Sequence, residues 1–335
     1  MVLTAKVKKS INTSLRLIIA FLAVWFIYNQ INNSENLISF SNSIKAAAKG
    51  TQFRYLIFIS ILLMPFNWGI ESYKWKTLIS YVERVSFVQA YKSVLTGITM
   101  SLFTPNRVGE FFGRLLTLKY AHPLKGAFLT ITGSISQLLT TILMGIVAIC
   151  FFIPFYFDLH DNSILISYIL ISVSAIITGI FLVMMYLNVS GISRLTRGLI
   201  KPGWQKIRGY LRVMRRLKRH VLVKVLSLSI LRYCIFSSQF YLLLVAFGIK
   251  IPWFESFVLI SMIYFTMTVI PTIALVDLGI RGSVSVYFLS MFTGDQPGAT
   301  IAILAASTSV WIINLAFPSL LGLLFINRIK LIRKI

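Results

Sequence analysis

Residues 101–120 read SLFTPNRVGEFFGRLLTLKY, a charged and helix-breaking knot inside an otherwise apolar chain. Pro105 lacks a backbone donor and disfavours helical geometry at Thr104. Gly109 and Gly113 permit close backbone approach. On a helix following Pro105, Arg107 and Glu110 are three apart and Glu110 and Arg114 four apart, so all three share one face. Glu110 then holds two guanidinium groups, leaving one planar fork to grip a phosphate, and Asn106 caps the break or adds a donor. The competing reading is an ion-pair network that only anchors a helix end at the membrane interface.

The surroundings make the knot unusual. The chain has 335 residues, is 57% hydrophobic, and sets 33 Lys plus Arg against nine acids. Apolar runs at 15–31, 54–70, 126–152, 164–187, 222–247 and 299–326 match the roughly 20 residues a helix needs to cross about 30 Å of hydrocarbon. A soluble fold with so many such segments would have almost no polar surface left. The net charge of +24 collects between these runs, as in loops facing anionic lipid, and no nucleic-acid module accompanies it. Cys150 and Cys234 lie in apolar runs and read as small packing residues. The scattered His122, His160 and His220 suggest no metal centre, and no cofactor is expected.

Loop charge sets the orientation. The connection 188–224 holds eleven Lys or Arg and no acid, whereas 153–163 holds Asp158 and Asp161 and no Lys or Arg. The first is expected in the cytoplasm and the second outside. The basic leader before 15–31 and the basic 328–334 tail put both termini in the cytoplasm. The leader run ends in YNQINNSEN rather than a cleavage site, so it reads as a retained first helix. Region 87–120 must then begin and end inside, and region 253–293 must begin and end outside. Both are expected as re-entrant hairpins, repeated with opposite orientation in 54–187 and 222–326. Interrupted segments at matching places in two halves point to a binding site in inverted-repeat transporters. Short tilted helices joined by surface loops are the plainer alternative. The whole, 1–335, is expected to be one all-α polytopic membrane domain.

The later knot, PTIALVDLGIRG at 271–282, again joins a proline, Pro271, to an acid, Asp277, the glycines Gly279 and Gly282, and a base, Arg281. Asp277 and Arg281 are four apart and expected to pair; capping, or a proton carried by Asp277, are the alternatives. Asn314 in 311–322 reads first as glue between helices and second as cavity lining. Gln137, Ser134 and Ser136 invite the same reading. Trp68, Trp75 and Trp253 near expected span ends read as interface anchors. Within the linker 188–221, residues 205–221 place Ile207, Leu211, Met214, Leu217 and Val221 at helical spacing among Arg208, Arg212, Arg215, Arg216, Lys218 and Arg219. A helix lying on the inner membrane surface is expected there, with a solvated basic linker as its rival.

Three stretches together, ESYKWKTLI at 71–79, TPNRVGEFFGR at 104–114 and PTIALVDLGIRG, resemble the lysylphosphatidylglycerol synthase transmembrane-region family of flippase-like proteins. The resemblance spans about 54–326. Its Pro–x–x–x–Gly–Glu pattern falls on Pro105, Gly109 and Glu110, and its following arginine on Arg114. The family's downstream helix often carries a Glu–Arg pair where this chain reads TGSISQ at 132–137, and Gly282 stands where the later motif often has Glu. The family implies movement of aminoacylated or otherwise modified lipids between leaflets. Some members add a soluble aminoacyltransferase domain; the chain ends at Ile335, so a stand-alone transporter-like unit is expected rather than a lipid-lysylating enzyme.

The leading expectation is a translocase for a modified phospholipid or a polyprenyl-linked headgroup. Arg107, Arg114 and Arg281 would touch phosphate, with Glu110 and Asp277 positioning them and Pro105, Gly109, Pro271, Gly279 and Asn314 shaping the cavity. A non-transporting lipid binder or scaffold for a cell-envelope synthesis enzyme is the second expectation. A membrane transferase is the third, disfavoured because no nucleophile–base cluster is visible.

Overall fold

The computed structural model describes residues 50–102, 104, 108–118, 120, 122–156, 161–189, 191, 213–270, 274–293 and 298–326. The expected first span 15–31, the basic 328–334 tail, and Pro105, Asn106, Arg107 and Pro271 lie outside them. The described residues form helices α1 (Thr51–Ile79), α2 (Phe87–Ser101), α3 (Gly109–Leu115), α4 (Pro123–Tyr156), α5 (Asn162–Leu187), α6 (Arg219–Ala246), α7 (Trp253–Val269), α8 (Ala274–Thr293), α9 (Ala299–Trp311) and α10 (Phe317–Ile326). A π-helical turn, Ile312–Ala316, joins α9 to α10 into one continuous rod.

Five of these rods are long and apolar enough to cross a membrane: α1, α4, α5, α6 and the α9–α10 unit. The protein is an integral, multi-pass, all-α membrane bundle. At 1.5 Å per residue, the 29-residue α1 and 34-residue α4 exceed a bilayer core of about 30 Å, so they tilt or project beyond it. The 15-residue α2 and seven-residue α3 are each too short to cross, at roughly 22 and 10 Å. α5 shows the lipid-facing extreme: Ile166, Leu170, Ile177 and Phe181 are all more than half exposed. In water that stripe would be an aggregation site; in a bilayer it is the boundary with acyl chains. Some hydroxyls inside the rods bond back one turn, among them Ser72 to the Trp68 carbonyl at 2.7 Å and Thr140 to the Ser136 carbonyl at 2.9 Å. Each is thereby satisfied without water.

α1 and α6 are antiparallel neighbours. As α1 partners fall from Lys74 through Asn67 to Ser60, their α6 partners rise from Ser229 through Arg232 to Gln239. α2 and α10 also run antiparallel: Thr99 donates to the Ser319 carbonyl at 2.7 Å, and Lys92 lies 5.4 Å from the Phe325 ring centroid. α4 lies against α7 through Gly145, whose missing side chain admits the Phe265 ring. One apolar core gathers around α1, α2 and the first half of α4; a second gathers around α6, α7, α8 and α9.

At the start of α5, the Asp161 side chain caps the helix by accepting from the Ser163 backbone N–H at 2.8 Å. That bond and one from the Ser163 hydroxyl hold the exposed Asp161 carboxyl below the ordinary aspartate range. Before α6, the single surface helix expected over 205–221 is interrupted. The described end has one 3₁₀ turn, Met214–Arg216, then Leu217 in extended conformation at ψ 115°, and α6 begins at Arg219. The apolar Val213, Leu217 and Val221 are nevertheless buried while Lys218 and Arg219 stay exposed. Burial of those anchors sets the path here, and local helical periodicity yields to it.

Candidate functional site

The α2–α3 hairpin is where the sequence's first knot acts. The two helices run antiparallel with backbones nearly touching. A Cβ on Gly113 would meet the Gly97 Cα at 2.6 Å, and one on Gly97 would meet the Glu110 carbonyl oxygen at 2.8 Å. Only glycine at both positions permits this approach. Gly109 opens α3 against the Met100 carbonyl, and its N–H donates to the Thr104 hydroxyl at 2.6 Å. Ser93 and Thr117 close the other end at 2.5 Å. The fit drives the buried face of α3, and with it Arg114, against α1.

Arg114 does not wait there with an open fork. One terminal nitrogen donates to Glu71 Oε1 at 2.9 Å and the other to Glu110 on its own helix. Glu71 is the hub. Its Oε2 lies 2.7 Å from Lys74 Nζ and 3.3 Å from Arg232 Nη1. Among the described residues, three cations and two carboxylates from α1, α3 and α6 thus form one network with a formal excess of one positive charge when all are ionised. Lys74 is only 1% exposed, whereas Arg232 and Glu110 are the more open members at 14% and 22% for their side chains.

Polar neighbours brace the hub from every side. Lys74 donates to Ser229, which shares a 3.0 Å hydrogen bond with Ser136. Arg232 donates from Nε to Asn67 Oδ1 at 2.9 Å and from Nη1 to Gln137 Oε1 at 3.2 Å, while its guanidinium carbon lies 4.8 Å from the Trp68 ring centroid. Asn67 in turn donates to Asn314 Oδ1 at 2.8 Å. Asn314 sits on the π turn, so a local widening of the α9–α10 rod is wired through Asn67 to Arg232. Such turns within α-helices recur at functional sites.

Trp68 and Trp75 correct the sequence reading. Both are buried, not at an interface: Trp68 backs Arg232, and the Trp75 indole donates to Thr130 at 3.1 Å. Cutting the first described span at 70 put them near an end, whereas α1 continues to Ile79. Trp253, at the start of α7, is exposed. The same early cut hid Glu71 and Lys74 as members of a buried charged network. Arg232 was missed although a lone arginine inside an apolar run is itself a signal.

The second knot forms a separate centre. Asp277 and Arg281 pair at 3.2 Å on α8, and the Arg281 guanidinium lies 6.0 Å from the Tyr264 ring centroid on α7. Gly282 packs toward Leu304, but Gly279 is exposed, with open space where a side chain would stand. Among the described residues, no ion pair or hydrogen bond joins this pair to the Glu71 network. Cys150 and Cys234 are unpaired.

Comparison with known families matches residues 14–316 to the family described as "Lysylphosphatidylglycerol synthase TM region". No curated protein and no solved structure matches the chain.

Proposed function

This chain belongs to the lysylphosphatidylglycerol synthase TM-region family, and we propose that it is a lipid translocase passing a modified phospholipid or lipid-linked headgroup between leaflets. The observation that carries this reading is the Glu71 network: three cations and two carboxylates drawn from α1, α3 and α6 inside an apolar bundle. Ionisable groups at such depth are expensive and mark polar pathways. The positive excess suits a phosphate. Arg232 and Glu110, the more open members, are the contacts a headgroup would meet first, and Arg114 is the strut that fixes Glu110 against Glu71. Arg107 precedes Glu110 by three residues and is assigned to the same headgroup path.

In this reading α2–α3 and α7–α8 are two re-entrant hairpins of an inverted repeat. Asp277 and Arg281 on α8 provide the counterpart polar step. The lipid tails stay in the bilayer throughout, so hydrocarbon is never carried through water. Both termini and the basic 188–224 connection face the cytoplasm.

The test is leaflet exchange in vesicles containing the purified chain, using fluorescent phosphatidylglycerol and its aminoacylated form with a membrane-impermeant quencher. Exchange of at least one probe well above empty vesicles, and its marked slowing by Arg232→Gln in a variant that still folds, is expected. Selective binding of these lipids with exchange no faster than in empty vesicles would refute transport. That result would favour the non-transporting lipid binder or scaffold of a cell-envelope enzyme.

A further inference from the structure

α1 has a second functional face. Its inward residues Glu71 and Lys74 build the charged network, while Pro65, Phe66, Gly69, Ile70 and Tyr73 form a stripe on another side. With Phe87 and Tyr91 of α2 and Leu228 of α6, this stripe lines a groove of about 560 Å³. That size lies within the range of small-molecule sites. The walls are apolar, and Phe66, Tyr73 and Phe87 remain substantially exposed, so the groove opens toward the surface that lipid covers. Gly69 keeps it open: the nearest atom to a Cβ there is the Phe87 ring, at 3.9 Å.

One end of the groove is not apolar. Lys224 lies one turn before Leu228 on α6 and donates to the Tyr73 hydroxyl at 2.9 Å, its ammonium 4.8 Å from the Tyr73 ring centroid. An ammonium has three donors, so two remain for an anion. Among the described residues no carboxylate lies within ion-pairing distance of Lys224. An unneutralised cation at the mouth of an apolar trough complements an anion carrying a hydrocarbon tail.

We infer that this groove is a lateral phospholipid site: one acyl chain lies along Gly69 and Ile70, and the phosphate is held by Lys224 beside Tyr73. The occupant comes from the bilayer, since the trough opens sideways, and from the leaflet next to the basic 188–224 connection. The inference rests on the translocase reading for its purpose, a holding position one helix away from the Glu71 network. Its geometry does not depend on transport.

The experiment uses the full chain in phosphatidylcholine vesicles doped with phosphatidylglycerol bearing a diazirine near the end of one acyl chain. After illumination, adducts are mapped by peptide mass spectrometry. Adducts should concentrate on 65–73 and 87–91, several-fold above the lipid-facing 166–181 stretch of α5. Gly69→Leu should abolish that excess by filling the trough. Lys224→Gln should lower groove labelling about tenfold, the worth of one charge-assisted hydrogen bond. Unfolding midpoints close to wild type confirm that both variants are folded.

Even labelling of groove and α5, or groove labelling unchanged by both variants, overturns the inference. So does a diazirine fatty acid that labels the groove more strongly than the phospholipid. Groove labelling without leaflet exchange upholds this site and refutes the translocase reading. Exchange with even labelling does the reverse.

Discussion

Glu71→Gln is the substitution with the most to reveal, because it keeps the side chain's shape and removes only the hub's charge. Glu71 meets Lys74, Arg114 and Arg232 at 2.7, 2.9 and 3.3 Å. At an effective dielectric near 20, each contact is worth roughly 5–6 kcal/mol of gross attraction. Burying each ion costs several kcal/mol, so the intact network contributes little net stability. Removing the hub is different: the buried Lys74 and Arg114 lose their shared carboxylate, with Glu110 still pairing Arg114, and the expected loss is about 3–5 kcal/mol. Thermal unfolding in detergent, followed by tryptophan fluorescence, measures it, and Trp68 already lies against Arg232. The companion variant Lys74→Met removes one stranded cation. In its background the same Glu71 change should cost less, with a coupling of about 1–3 kcal/mol. A loss within about 0.5 kcal/mol of zero, the usual range for a surface change, would refute the argument. So would strict additivity in the cycle.

Two further outcomes follow from the packing. Gly113→Ala places a methyl group against Gly97 Cα and the Thr96 carbonyl, so α2 and α3 must separate, at a cost of about 1–3 kcal/mol by overpacking. A crosslink between cysteines at positions 93 and 117, in a background lacking Cys150 and Cys234, should form more slowly in that variant. Asn314→Leu removes the acceptor for Asn67 and should destabilise by about 1–3 kcal/mol, the penalty for a buried donor left without a partner. Its effect should shrink when Asn67 is already Leu, as unfolding of the double variant will show; equal cost in both backgrounds would disconnect the π turn from Arg232.

The long rods were legible because length and apolarity are physical requirements for crossing hydrocarbon, and α4, α5, α6 and α9–α10 lie where those runs predict. The Glu110–Arg114 pair was legible too, since a four-residue offset on a helix nearly fixes proximity. Glu71, Lys74 and Arg232 were harder for one reason. A window that averages hydropathy treats each charge as an interruption, whereas the folded chain pairs Glu71 not only with Lys74, three residues on, but with Arg114 on α3 and Arg232 on α6. The partner of Glu71 on α6 is set by the register of α1 against α6, and one sequence carries no statement of that register. Trp75 was misplaced by the same omission, because its reason for being buried is Thr130, on a different helix.

The two polar centres do share a wall, and it is α6. Consecutive residues Arg232 and Tyr233 face different neighbours. Arg232 enters the Glu71 network, while Tyr233 donates to Ser261 at 2.9 Å and lies 6.1 Å from the Tyr264 ring centroid on α7. Tyr264 is the ring against which Arg281 rests. Adjacent side chains on a helix diverge by about 100°, so one turn of α6 presents a residue to each centre. Under the proposed translocase reading, α6 is the helix through which the two polar centres would be coupled.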